Sequence, residues 1–282
     1  MVTDVGVKRK ITPGYVVSRL VVILLLITTA FPFLMLMNMS LKPNVMITND
    51  FLGLPNPVYW INFEKAMNFI FKPVLNSIYV CGISLFFIII IVALSGYAFG
   101  RMEFKGRKVL YSLILAVMMI PYTLLIIPNF HIVKGLHIVD TFWALIIPYV
   151  AGQQVMGIIL AESFFRELPG DIFEAARIDG AGEFGMFARI AMPLSKPILI
   201  TVGITSVVAM YNDYIWPTIA ITGGDDVKTF CQIVFNNAAG KGTNDMGLIA
   251  AAFIIGTIPL LIATASCLKY YVQGMMVGAV KG

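Results

Sequence analysis

Four carboxylates, Asp171, Glu174, Asp179 and Glu183, stand close together between two strongly apolar runs, with only Arg177 and Arg189 interleaved. Acids that outnumber bases cannot grip a phosphate backbone. A DNA-reading helix-turn-helix is therefore excluded, although two short helical patterns flank a glycine turn here. The chemistry open to such a segment is docking onto a partner protein. Pro169-Gly170 breaks the preceding run, and Asp171 followed three residues later by Glu174 predicts a capping-box-like helix start. Ile172, Phe173, Ala175, Ala176 and Ile178 supply the apolar part, and Gly180 can end the helix in a left-handed cap. Phe184, Phe187 and Ile190, spaced by three, predict a second short helix that Pro193 stops.

A second chemically informative set lies inside the apolar runs, where a polar group costs free energy unless it is paired or faces a cavity. Gln153 and Gln154 fall in a run at about 141–161, and Thr205, Asn212 and Asp213 in one at about 198–219. At 1.5 Å per helical residue, Gln153 lies about 18 Å into its run, near mid-membrane, with Thr205 at comparable depth. Uncharged amides and hydroxyls beside Tyr122 and Tyr149 suit a path for sugar hydroxyls; hydrogen bonding between helices is the competing use. Pro121 and Pro148 read as kinks.

Other chemistry finds little footing. Gly240-Lys241-Gly242-Thr243 is the nearest approach to a phosphate-binding loop. It lacks the leading glycine (Phe235 stands there) and has Gly242 where Ser or Thr should follow the lysine. His131 and His137 lie in an outer loop without a carboxylate cluster, and Cys81, Cys231 and Cys267 show no metal or redox spacing. No nucleophile, base and orienting group can be assembled, so an enzyme in its own right is not expected, nor is any cofactor or metal bound by this chain.

The elements that must position these residues are membrane spans. The 282-residue chain is 59% hydrophobic and only 12% charged, against roughly 25% charged residues in a soluble domain. A basic segment, 1–15, precedes a run at 16–39 that is too long for a cleaved signal and reads as a retained first span. Residues 40–73 read as a loop with one short helix near 62–69. Further spans are expected at 74–99, 109–127, 141–161, 198–219 and 248–268, six in all, within a permease-like body of 16–268. The docking loop spans 166–196, an outer loop 222–245 and a tail 269–282. Fourteen of the 20 Lys and Arg residues fall on the side of the amino end, the basic turn 101–108, the docking loop and the tail. By the positive-inside rule both termini and the docking loop face the cytoplasm.

With those residues in place, the docking loop resembles the EAA loop of bacterial ABC-importer permeases. Glu174, Ala175, Ala176, Gly180, Ile190 and Pro193 fall on that pattern, and Met192 replaces the usual Leu. Asn76-Ser77, Arg101, Ile120-Pro121, Tyr211–Pro217 and the ending Tyr270–Gly282 are similar to the carbohydrate branch, whose maltose-type six-span partner subunit the chain resembles over nearly its whole length. The resemblance implies an all-α polytopic membrane protein of the bacterial cytoplasmic membrane. Its cytoplasmic coupling-helix loop would dock on an ATPase through Glu174, Ala175, Ala176, Asp179, Gly180, Ile190 and Pro193. Glu183 lies outside the motif and is expected to be the milder position. The tail is expected to touch the ATPase pair.

Implied partners are a second permease, two ATPase subunits that hold ATP and Mg, an extracytoplasmic solute-binding protein, a sugar or sugar-like substrate and membrane lipid, with no nucleic acid. Two rivals are a secondary transporter and a membrane scaffold that recruits a cytoplasmic enzyme. Asp213 reads as the only acid inside a span and lies near an edge, which disfavours the first.

Overall fold

The computed structural model describes residues 13–223, 226–238 and 245–279, with side chains over 14–269 of these segments. Among the described residues every regular element is helical. The chain divides into two compact units, Met1–Met67 with Asn244–Ile255, and Asn68–Thr243 with Gly256–Gly282.

In the first unit, α1 (Pro13–Ser40) is apolar all round, and Leu24, Leu26 and Phe33 are exposed along it, as on a helix surrounded by lipid. The short α2 (Asn44–Asn49) follows. The buried Lys42 ammonium donates to the carbonyls of Asp50 and Phe51 at 3.0 and 3.2 Å, and buried Asn62 donates to those of Ser40 and Lys42 at 3.0 and 2.8 Å. These bonds answer for backbone carbonyls that the turn would otherwise strand. Asn62 already belongs to α3 (Ile61–Arg101), so the helix expected near 62–69 is no separate element. It continues through Pro73 into the second span. At 1.5 Å per residue its 41 residues reach about 60 Å, twice the roughly 30 Å hydrocarbon thickness.

The second unit begins with the rest of α3. The third span is broken where the kink is expected: α4 (Arg107–Met118) and α5 (Tyr122–Gly135) meet at 103°. Pro121 carries the break, its ψ of 130° leaving the helical region just before α5. Pro128 lies within α5, and His131 is helical too, not in a loop. α6 (Trp143–Glu167) extends beyond the expected Ala161 and so takes in Glu162. Then come α7 (Gly170–Ile178), α8 (Glu183–Met186), a π-helical turn at Phe187–Ala191 and α9 (Met192–Leu194). Pro193 does not stop this segment. It sits in the first turn of α9, where a missing N–H costs little. The chain instead bends by 72° at Ser195 into α10 (Lys196–Asn212).

A further break at Asp213-Tyr214 separates α10 from α11 (Ile215–Ala220), so the expected run at 198–219 is likewise not one helix. The outer loop contains α12 (Phe230–Asn236), started by a capping box between Thr229 and Gln232. Finally α13 (Met246–Ala279) carries the sixth run onward, so the tail is helical as far as 279, and 280–282 lie outside the described residues. Among the described residues four helices are long and apolar enough to cross a membrane, and counting each bent pair as one crossing gives the expected six.

The centre of the second unit is a close approach of α3, α6 and α10. A Cβ on Gly96 would lie 2.5 Å from that of Ala161, and one on Gly157 would lie 2.5 Å from Val92 and 2.9 Å from Val202. Small residues let membrane helices meet at backbone distance, where dispersion rather than hydrophobicity holds them. Trp216, fully buried, donates its indole N–H to Ala144 at 3.0 Å and fixes α11 to α6.

Candidate functional site

The element expected to dock is α7, a glycine turn, α8 and the π-helical turn. No side chain caps α7: Pro169 occupies the N-cap, and Asp171 sits in the first turn. The capping box expected from Asp171 and Glu174 therefore does not form. Asp171 is left with the favourable field of the helix start. The end of α7 is as the sequence indicates. Gly180 has φ +82°, its N–H donates to Arg177 at 3.0 Å, and the N–H of Ala181 donates to Ala176 at 2.9 Å. That pair of bonds is a Schellman motif, which turns the chain sharply toward α8.

Side chains of α3 and α6 hold this element in place. The ring of Tyr97 packs among Phe165, Phe173 and Phe187 at centroid distances of 5.8, 6.4 and 5.3 Å. Its hydroxyl donates to Glu183 at 3.2 Å, and the other oxygen of Glu183 accepts from Arg177 at 2.9 Å. Arg101 lies over the ring of Phe173, 4.5 Å from its centroid, and donates to the carbonyl of Leu168. Glu183 thus ties both arms of the element to α3. Nearby, the carboxylate of Glu162, 3% exposed, accepts from Tyr111 at 3.0 Å and Arg166 at 3.0 Å, linking α4 to α6. The expectation that Asp213 is the only acid inside a span therefore fails: Glu162 lies within α6, and Asp213 itself sits at the break after α10. Glu162 escaped notice because the hydropathy of the run fades one residue before it, while the helix continues on hydrogen bonds and the Arg166 pair.

Glu174, Ala175, Asp179 and Gly180 are exposed, Ala176 and Ile190 half-buried, and Pro193 exposed. Ile178 and Phe184 stand 87% and 76% exposed beside those acids. Two exposed apolar side chains among carboxylates give this element a mixed apolar and acidic surface.

Elsewhere in the same unit, α5, α6 and α10 with the break after it enclose a cavity of about 460 Å³. It gathers Tyr122, Tyr149, Gln153, Asn212 and Asp213 from the predicted set, together with Tyr214, which had not been singled out. Two members of that set are not brought there. Thr205 spends its hydroxyl within α10, on the carbonyls of Thr201 and Val202, and Gln154 lies outside the lining. Asp213 accepts from the N–H groups of Ile215 and Trp216 at 2.9 and 3.3 Å and from Tyr149 at 3.1 Å. Asn212 donates to Val208 at 2.9 Å, which turns its carbonyl oxygen free for other use. Tyr214 is held flat against Phe235 of α12, centroids 3.7 Å apart.

Asn76 and Ser77 have a different role. Asn76 donates to the carbonyls of Asp226 and Lys228, both at 2.9 Å, and Ser77 accepts from the N–H of Phe230 at 2.9 Å. They fasten the approach to α12, and with it Phe235 and Tyr214, to the start of the membrane part of α3.

Comparison with known proteins agrees with this architecture. The family described as "Binding-protein-dependent transport system inner membrane component" matches residues 93–277. The ORF2 protein of Caldicellulosiruptor sp. (strain Rt8B.4), which carries an ABC transporter permease name, is 34% identical over 89% of this chain and 91% of its own. The trehalose/maltose transport system permease protein MalG of Thermococcus litoralis is 31% identical over 92% of this chain and 94% of its own. Among solved structures, a chain of a bacterial ABC transporter involved in the import of the acidic polysaccharide alginate superposes with a TM-score of 0.77. At 20% identity, covering 91% of this chain and 95% of that one, it shares the fold. With its family model spanning the docking element and the cavity alike, this chain belongs to the binding-protein-dependent transport system inner membrane components, the permease family of ABC transporters.

Proposed function

We propose that the chain is a sugar-importing permease subunit, lining the route with the Tyr122–Tyr149–Gln153–Asn212–Asp213 cavity and coupling it to an ATPase through the α7–α8 element. The observation that carries this reading is the convergence of those five side chains, from three separate helices and the break after one of them, on one cavity. Aromatic faces with amide and hydroxyl groups are the surface a sugar ring and its hydroxyls match. The sugar-transport name of the Thermococcus litoralis relative supports the substrate class. Gln154 and Thr205 are left out of the proposed path. A second permease chain, an extracytoplasmic binding protein and two ATPase subunits, which hold ATP and Mg, complete the assembly. Closure of the ATPase pair would move the docking element and, through α3 and α6, reopen the cavity outward. Both termini and the docking element face the cytoplasm, on the evidence of the Lys and Arg distribution.

Gln153→Leu tests the path. It lowers the cost of inserting α6, so the protein should reach the membrane in normal amount while uptake falls or sugar preference changes. Unchanged uptake kinetics over several sugars would make Gln153 a structural residue.

A further inference from the structure

Charge is the property of the cavity that the sugar reading leaves undetermined, and it is written in the lining. Asp213 has all three of its hydrogen bonds from donors: two backbone N–H groups on Oδ1 and the Tyr149 hydroxyl on Oδ2. Both of its oxygens act only as acceptors in these bonds, the role of a carboxylate rather than of a donating acid. Among the described residues it has no ion pair, and no Lys, Arg or His is among those that line the cavity. Gln153 has no hydrogen-bond partner among the described residues, and the Asn212 amide has spent a donor on Val208. The lining is thus tyrosine faces, amides and one uncompensated negative charge.

We infer that Asp213 makes this cavity charge-selective: it accepts uncharged or cationic sugars and rejects those carrying carboxylate, sulfate or phosphate groups. This rests on the path reading above. An anion entering the cavity would meet the Asp213 charge between walls of low dielectric, where the field is focused rather than screened. A neutral sugar brings hydroxyl donors to the free lone pairs of Oδ2, and an amino sugar brings an ammonium as well.

The test measures charge directly, without needing the natural sugar. Gln153→Cys is placed in the complete transporter, otherwise free of cysteine, in proteoliposomes. Its labelling rates with 2-(trimethylammonium)ethyl and 2-sulfonatoethyl methanethiosulfonate are each divided by that reagent's rate with 2-mercaptoethanol. The expected result is a preference for the cationic reagent of about tenfold or more, lost when Asp213→Asn is added. Asn retains an acceptor for the Ile215 N–H, so the break after α10 is kept. The ratio in the Asp213-bearing protein gives the sign of the field even if the second variant assembles poorly. An equal or anion-favouring ratio overturns the inference while leaving the path reading standing, as does a cation preference that survives Asp213→Asn. If neither reagent reaches position 153, the cavity is no path, and both readings fall.

Discussion

Tyr97 of α3 donates a hydrogen bond to Glu183 of the docking element at 3.2 Å, across 86 residues of sequence. The bond joins the longest membrane helix to the surface proposed to meet the ATPase. Glu183 also holds Arg177, so one carboxylate braces α7, α8 and α3 together. The Arg177–Glu183 pair is about half exposed and is worth at most about 1 kcal/mol on its own. The buried tyrosine ring makes the arrangement more than a surface pair.

Glu183→Ala should therefore impair coupling, contrary to its expected mildness from the sequence motif. Tyr97→Phe, which removes only the hydroxyl, should lower uptake in the same direction and by less. A hydrogen bond to a charged group is worth about 1.5–3 kcal/mol, so the two changes together should fall short of their sum. Strictly additive losses in a double-mutant cycle on substrate-stimulated ATP hydrolysis would show that the bond transmits nothing.

Gly157→Leu should prevent stable assembly. Even a Cβ there meets Val92 at 2.5 Å and Val202 at 2.9 Å, so the larger side chain must part α3, α6 and α10. Gly152, with open space around its Cβ position, provides the contrast: Gly152→Ala should leave assembly intact. Size-exclusion profiles of the solubilised variants would decide, and a normal Gly157→Leu profile would contradict the close packing.

Glu162 gives a ranking by thermal unfolding. Glu162→Gln keeps an acceptor for Tyr111 but loses the charge opposite Arg166, while Glu162→Ala strands the tyrosine hydroxyl as well. Wild type should unfold at the highest temperature, Gln next and Ala lowest. Equal midpoints for all three would mean that the carboxylate contributes nothing to holding α4 against α6.

Much of this was legible in the sequence, for identifiable reasons. Span number follows from long apolar runs, and the Gly180 turn from a residue that alone adopts φ +82° without cost. The kink at Pro121 was legible from the proline, but the breaks at Ser195 and Asp213 were hidden because hydropathy is blind to direction: a run of apolar residues reads the same whether straight or bent by 72°. Thr205 and Gln153 lie at comparable depth in their runs. Only the rotation of their helices shows one hydroxyl turned back onto Thr201 and one amide turned into the cavity. Tyr97 and Glu183 could not be paired from a single sequence, since nothing local in either residue points to the other.

Topology is tested by thiol labelling in intact cells. Lys105→Cys and Gly185→Cys should resist an impermeant reagent, and Thr222→Cys should react; Gly224, the natural first choice on the outer loop, lies outside the described residues. Lys105 suits the test better than its neighbour Gly106, whose φ of +86° a cysteine adopts poorly. Labelling is done in a cysteine-free background, because the native Cys231, on the outer loop, is only half-buried. Outside labelling of Gly185→Cys would reverse the orientation and remove the ATPase from reach.

The measurement closest to the central claim is retention of the ATPase subunits on purification, together with uptake, in Glu174→Ala. Glu174 is exposed on α7 and makes no cap bond, so its removal should not disturb the six crossings. Gly180→Leu, which cannot hold φ +82° without strain, should act similarly by re-aiming α8. Asp171→Ala, in the same helix and also without a cap bond, is the control. A lost charge-assisted contact of about 1.5–3 kcal/mol is one to two decades of docking affinity. The account predicts that Glu174→Ala reaches the membrane, releases the ATPase and stops importing, while Asp171→Ala does neither. Full ATPase retention with wild-type uptake in Glu174→Ala would contradict it.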